Sequence, residues 1–141
     1  METLHKTSTQ IESPYSPKDL EYFKNLILDK RNEAAEEIEY LQSVLENIRY
    51  TDEADNSSNA HHIADLGSEE ENTALYYALI QRTRKFVGQL DRALERIENG
   101  TYGICHATGK PIPKGRLEAV PHTRYSINAK LKGLDKQFLL A

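Results

Sequence analysis

The chain contains no tryptophan, one methionine and one cysteine among its 141 residues. A single cysteine cannot form an internal disulfide, and alone it cannot supply a thiolate-rich zinc site. Only 38% of the residues are hydrophobic, and no stretch approaches the roughly 20 apolar residues that a membrane span requires. The first residues also lack the apolar core of a secretory signal. We therefore expect a small cytoplasmic protein with a thin core and no membrane association.

The charged residues are distributed unevenly along the chain. The formal net charge is −4. Residues 1–105 hold 20 acidic and 11 basic side chains, a net charge of −9, whereas residues 106–141 hold 2 acidic and 7 basic side chains, a net charge of +5. Because DNA binding favours a broad basic face, we expect no sequence-specific DNA binding. This uneven distribution of charge favours a protein partner whose own surface has separate acidic and basic regions.

Two long helices are predicted from apolar residues spaced three, four or seven apart. Ser16-Pro17 is a typical start for the first helix, whose seam is Leu20, Phe23, Ile27, Ala34, Ile38, Leu41, Leu45 and Ile48. Ser68 is a typical N-cap for the second helix, which Asn99-Gly100 ends and whose seam is Leu75, Leu79, Thr83, Phe86, Leu90, Ala93 and Ile97. We expect the helices to pair as an antiparallel hairpin coiled coil, each seam forming the core of the other.

These patterns divide the chain into three regions of an all-α protein. Residues 1–15 are polar and without periodicity, as in a disordered or loosely docked tail. Residues 16–100 form the hairpin, with its tip in the polar, turn-rich segment 50–68. Residues 101–141 begin with a turn-rich knob that contains three prolines and three glycines, and end in a short helix interrupted at Gly133.

The knob carries a run of residue identities at fixed spacing: Tyr102-Gly103, Cys105, Gly109, Ile112, Arg116-Leu117-Glu118-Ala119 and Pro121. This run resembles the zinc-finger signature of the DksA/TraR family. Together with the acidic hairpin before it, the resemblance covers residues 17–140. It implies a protein that is not an enzyme, binds bacterial RNA polymerase through the secondary channel, and regulates transcription initiation without reading promoter sequence. We expect it to act as a monomer.

The zinc site of that family does not carry over. Its four cysteine positions fall on Cys105, Thr108, Ser126 and Ala129, and Zn²⁺ needs four donors. His106 and His122 occupy none of these positions. We therefore expect no bound zinc and a knob held together by packing, with Cys105 as a small buried residue and a core of Ile104, Ile112, Leu117, Val120, Tyr125 and Ile127.

The resemblance also assigns the hairpin tip. The family's Asp-x-x-Asp-x-Ala pattern falls on His62, Asp65 and Gly67, so only the second acid is retained. Its carboxylate would act near the catalytic Mg²⁺ and mobile elements of the polymerase. The alternative is that Asp65 only caps or solvates the loop.

The family's regulatory nucleotide is guanosine tetraphosphate, the signal of the stringent response. Arg82 and Lys130 match family positions for its binding, whereas Gln89 and Val120 stand where cations are common. Since half of the cationic set is missing, this nucleotide is kept as a candidate regulatory ligand, and no other cofactor is expected.

Two other functional classes remain open from the residues alone. A coiled-coil interaction module with a different partner would suit the altered tip, although the knob signature favours polymerase. A metal-dependent hydrolase would use the cluster of His61, His62 and Asp65, because imidazole and carboxylate groups are metal donors. The cluster was predicted in a loop, where it lacks the helical spacing of a ligand pair such as H-E-x-x-H.

Overall fold

The computed structural model describes the backbone of residues 12–54 and 60–139, and the side chains of residues 12–50 and 72–136. This part of the chain forms five helices: α1 (Pro17–Ala54), α2 (Ala60–Asn99), α3 (Lys114–Ala119), α4 (Ile127–Leu131) and α5 (Leu134–Leu139). Between the helices, the described residues contain an isolated antiparallel bridge of Ile104 and Pro111 and no named strand. The predicted all-α class is confirmed.

The outer ends of the two long helices follow their capping signals. The Ser16 hydroxyl accepts a hydrogen bond from the Asp19 backbone N–H at 3.2 Å, and Asp19 places a negative charge in the first turn of α1. Asn99 ends α2 and is followed by Gly100 at φ 76°, the left-handed conformation that favours glycine after a helix. Both predicted ends are confirmed.

The inner ends of these helices differ from the prediction. α1 continues to Ala54, and α2 begins at Ala60. The predicted N-cap at Ser68 is therefore wrong, and the segment 50–68 contains helical residues on both sides of residues 55–59, which lie outside the described residues. Serine, asparagine and aspartate lower helix stability by only tenths of a kcal/mol each, so two long helices can extend through a polar stretch.

The chain divides into two compact units. The hairpin unit is Lys30–Gln89, and its buried side chains are Ala34 and Leu41 of α1 with Ile80 and Thr83 of α2. Glu37 shares a cleft with Lys85 and Gln89, whereas the later residues Glu46 and Arg49 share one with Tyr77. The helices are therefore antiparallel in this unit. Leu75, predicted in the seam, is 54% exposed, so that prediction is wrong and Ile80 fills the core.

The knob unit combines the described parts of residues 1–29 and 90–141. Both long helices contribute buried residues to its core, and the knob adds others; the set is Phe23, Ile27, Leu90, Ala93, Tyr102, Cys105, Ile112, Leu117 and Ala129. The burial predicted for Ile112 and Leu117 is confirmed. Ile104, Val120 and Tyr125 are only half-buried. Ile127 is 50% exposed on the surface of α4, so its predicted core position is wrong, and Tyr102 fills the centre.

The segment before α1 is attached to this unit by specific contacts. The Ser13 N–H donates to the Gly100 carbonyl at 2.6 Å. The Tyr15 ring packs edge-on against Phe23 with centroids 5.7 Å apart, and its hydroxyl donates to the Ile112 carbonyl. Residues 12–15 of the tail predicted to be disordered or loosely docked are thus in contact with this unit, and residues 1–11 lie outside the described residues.

The C-terminal region forms two short helices rather than one. Gly133 lies between α4 and α5 with φ 72°, so the predicted interruption is confirmed. α4 begins at Ile127 because Ser126 caps it, its hydroxyl accepting from the Ala129 N–H at 3.2 Å. Across the described helices, none combines the length and apolarity needed to cross a membrane.

Candidate functional site

The knob is built around Tyr102. This side chain is fully buried, its ring lies 5.5 Å from that of Phe23, and its hydroxyl donates to the Pro121 carbonyl at 2.7 Å. Burial raises the pKa of Tyr102, an effect that the nearby Arg96 cation partly offsets. Tyr102 is therefore a neutral hydrogen-bond donor that joins the base of the helices to the knob.

The four positions predicted to match lost zinc ligands lie together in the knob. Cys105 is 1% exposed, and its sulfur accepts a hydrogen bond from the Ser126 backbone N–H at 3.4 Å. The Thr108 hydroxyl also bonds to this sulfur, and Ala129 is buried. Hydroxyl and amide groups thus surround the thiol of Cys105. The predicted burial of Cys105 is confirmed.

These hydrogen bonds change the acidity of the Cys105 thiol. Burial alone would raise its pKa, because it disfavours the thiolate. The Thr108 side chain and the backbone N–H groups of Ser126, Thr108 and Ala107 stabilise the thiolate instead, and they lower the pKa of Cys105 from 9.0 to about 7. The thiol of Cys105 is therefore more acidic than that of an ordinary cysteine.

The residues around Cys105 do not fit a structural zinc site. Zn²⁺ requires four donors, usually thiolate and imidazole groups, and among the described residues no group of three or more His, Cys, Asp or Glu could hold a metal. His106 packs edge-on against Tyr125, with centroids 6.0 Å apart, and the His122 carbonyl accepts from Arg96. The chemistry of the donor set, one thiol among hydroxyl and methyl groups, disfavours zinc.

Beside Cys105 lies a cleft of about 460 Å³ within the knob unit. Three arginines line it, Arg92 and Arg96 from the end of α2 and Arg124 from the loop before α4, together with His106 and one carboxylate, that of Glu95. We call this the arginine cleft. Sequence analysis missed it. The available signal was the spacing of Arg92 and Arg96. These residues are four positions apart, so both cations lie on one face of α2 near its C-terminal end, just before the knob.

The cations of the arginine cleft act on one another. The pKa of Arg96 is lowered by burial and then by the positive charges of Arg124 and Arg92, with a smaller opposing effect of Glu95. Burial and the cations of Arg124 and Arg96 likewise lower the pKa of His106. The cleft is a site of concentrated positive charge.

The remaining predicted site residues lie elsewhere. His62, Asp65 and Gly67 fall within the bounds of α2, and their side chains lie outside the described residues. Arg82 is exposed in the hairpin unit and lines a cleft of about 570 Å³ with Lys85 and Gln89. Lys130 is exposed on α4 in the knob unit.

Comparisons with known proteins match the knob and most of the chain. A family model described as the prokaryotic dksA/traR C4-type zinc finger matches residues 100–132. The chain is 37% identical over 117 residues to the RNA polymerase-binding transcription factor DksA of Caulobacter vibrioides, across 80% of this chain and 74% of that protein. General stress protein 16O of Bacillus subtilis is 31% identical over 105 residues, across 74% of this chain and 61% of its own length.

A solved structure extends the likeness to the fold. Transcription factor DksA2 from Pseudomonas aeruginosa superimposes with a TM-score of 0.72 and 30% sequence identity, covering 86% of this chain and 88% of that one. The likeness therefore includes the long helices as well as the knob.

Proposed function

Since this chain belongs to the DksA/TraR family, we propose that it binds bacterial RNA polymerase and regulates transcription initiation. The observation that carries the proposal is the 37% identity to an RNA polymerase-binding factor over 80% of the chain. A fold alone would not support it, because one fold serves many functions. The factor would act in the cytoplasm as a monomer, without catalysing a reaction and without recognising promoter sequence.

We propose that the hairpin enters the secondary channel of the polymerase tip first. Two antiparallel helices have a cross-section of two helix diameters, each about 10 to 12 Å, which suits a narrow channel. Asp65, whose side chain lies outside the described residues, would then present its carboxylate near the active site and alter the electrostatics there. His62 and Gly67 would complete the tip.

The knob unit would dock on the polymerase surface through its basic C-terminal region. Residues 106–141 carry 7 basic and 2 acidic side chains, and the cations Lys110, Lys114, Lys130 and Lys132 are exposed. Opposite charge on the partner would steer the encounter and fix the orientation of the complex. The basic region therefore favours an acidic docking surface.

The proposed function includes a site for the regulatory nucleotide and a knob that works without a metal. Arg82 and Lys130 would contribute cations to a guanosine tetraphosphate site completed by the polymerase, since phosphate recognition needs basic donors. The knob would work without zinc, because hydrogen bonds from Thr108 and Ser126 stabilise the Cys105 sulfur that a metal would otherwise bind.

The first test is retention of RNA polymerase from a bacterial lysate by the immobilised chain at modest salt. We expect retention. A failure to retain polymerase, with capture of other proteins from the same lysate, would instead favour the coiled-coil module with a different partner.

The second test concerns the tip. We expect Asp65→Asn to weaken the effect on a ribosomal promoter by about tenfold, the loss associated with about 1.4 kcal/mol, while polymerase binding is kept. The matched control is Asp29→Asn, which removes an exposed carboxylate of α1 and should match the parent. Equal activity of the parent and Asp65→Asn would exclude Asp65 as the working group.

A further inference from the structure

We propose that the arginine cleft is a binding site for a small phosphate-bearing anion. Its residues differ from the nucleotide-site candidates Arg82 and Lys130. The site lies within one compact unit of the chain, so binding would not require polymerase.

The shape and lining of the cleft suit a ligand of this size. Its volume of about 460 Å³ lies in the usual range for small-molecule sites, about 300 to 1,000 Å³. Three guanidinium groups face one carboxylate, that of Glu95, and the Cys105 thiol also lines the cleft, so the cations outnumber the acidic groups of the lining. Asn99 and Thr101 also line it and add an amide and a hydroxyl donor. Guanidinium groups bind phosphate oxygens in pairs through their planar array of N–H donors.

Two of the arginines, Arg96 and Arg124, are held in place by contacts with uncharged groups. The Arg96 guanidinium donates to the His122 backbone carbonyl at 3.2 Å, and the Arg124 guanidinium lies over the Tyr125 ring, 5.8 Å from its centroid. These contacts orient the guanidiniums without cancelling their charge. The cations of Arg92 and Arg124 also destabilise the charged form of Arg96. A bound anion would relieve that repulsion, which gives the cleft a preference for anions over neutral ligands.

A small molecule fits these observations better than a nucleic acid. Nucleic acids bind along extended basic surfaces because their phosphates are distributed along a backbone. Here the arginines converge on one concavity, and the chain has a net charge of −4. The clustered charge suits a ligand whose phosphates are close together.

The test is calorimetric titration of the full chain with inorganic pyrophosphate at constant ionic strength. We expect saturable binding at one site, with amide NMR shifts at Thr101, His106 and Gly109, which line the cleft. The double variant Arg92→Gln and Arg124→Gln, which changes two exposed side chains, should weaken binding by at least about tenfold. Lys18→Gln with Lys24→Gln is the matched control, because it removes two exposed charges from the same unit outside the cleft.

Three results would overturn the proposal. These are the absence of saturable pyrophosphate binding, an equal loss of affinity in the lysine control, and arginine-dependent binding of a short oligonucleotide without binding of pyrophosphate. None of them would bear on the proposed function, since polymerase is absent from the titration. If the chain bound pyrophosphate but did not retain polymerase, the proposed function would fail and the anion site would stand.

Discussion

At the scale of single residues, Cys105 shows how the knob differs from a metal site. A metal-bound thiolate is stabilised by the charge of the ion. Here the Thr108 hydroxyl and the backbone N–H of Ser126 donate to the sulfur instead. These hydrogen bonds outweigh the effect of burial and lower the thiol pKa of Cys105 to about 7.

We predict that Thr108→Val raises the thiol pKa of Cys105, because the side-chain donor that stabilises the thiolate is lost while burial still favours the thiol. Thiolate absorbance near 240 nm, followed as pH is raised, measures the midpoint. Thr101→Val is the control, since Thr101 is another exposed threonine of the knob unit. An unchanged midpoint in Thr108→Val would contradict the assignment of this hydrogen bond.

The same pKa predicts how stability depends on pH. The thiol pKa is lower in the fold than the ordinary value of 9.0, so the unfolded chain keeps the proton to higher pH. The thiolate therefore stabilises the fold above pH 9, and this contribution is lost as pH falls toward 7. Cys105→Ala should remove this part of the pH dependence of the melting temperature.

Gly103 provides a second residue-scale prediction. Its φ is 86°, and an added Cβ would lie 2.6 Å from the Tyr15 ring. We expect Gly103→Ala to lower the free energy of unfolding by about 2 to 5 kcal/mol, from left-handed backbone strain of about 1 to 2 kcal/mol together with a steric clash of about 1 to 3 kcal/mol. Urea denaturation measures the change.

Gly109→Ala separates these two causes. Gly109 has φ 71° but nothing within 4 Å of an added Cβ, so only the backbone strain of about 1 to 2 kcal/mol applies. If both variants lost equal stability, a steric clash with Tyr15 would not contribute to the destabilisation by Gly103→Ala.

At the scale of helices, the α2 seam can be tested with two leucines. Leu90 is fully buried in the knob unit, whereas Leu75 is 54% exposed in the hairpin unit. We expect Leu90→Ala to destabilise the protein by about 2 to 5 kcal/mol through the cavity it leaves. Leu75→Ala should change stability by about 0.5 kcal/mol or less. Urea denaturation measures the free energy of unfolding of both variants. A large decrease in Leu75→Ala would show that Leu75 belongs to the buried seam, as its spacing predicts.

The helix ends show which features of an element are local. Ser16, Asn99 and Gly100 mark the outer ends through capping chemistry that involves only a few neighbouring residues. The inner ends differ from the prediction because polar residues lower helix stability only slightly, so a polar segment can continue a helix. Composition is therefore a weaker guide to a helix boundary than a capping residue.

At the scale of the whole molecule, the division of charge predicts the kinetics of polymerase binding. Long-range attraction acts on the encounter and is screened by salt. We expect the association rate constant to fall by about tenfold or more between low and high salt, while dissociation changes less. Surface plasmon resonance with immobilised polymerase measures both.

The control for that prediction changes the basic region. Lys130→Gln with Lys132→Gln should slow association at low salt and reduce its salt dependence, because two exposed cations of the C-terminal region are lost. Rates that do not respond to salt in the parent chain would contradict electrostatic steering through this region.

The sequence by itself determined the features that depend on neighbouring residues: the all-α class, the outer ends of α1 and α2, the interruption at Gly133 and the knob signature that contains Cys105. Tertiary structure decided the features that depend on distant ones. Arg124 joins Arg92 and Arg96 only after the chain has turned through the knob. Local spacing carries no signal for such pairs, because their distance is set by the packing around Tyr102 and Leu117.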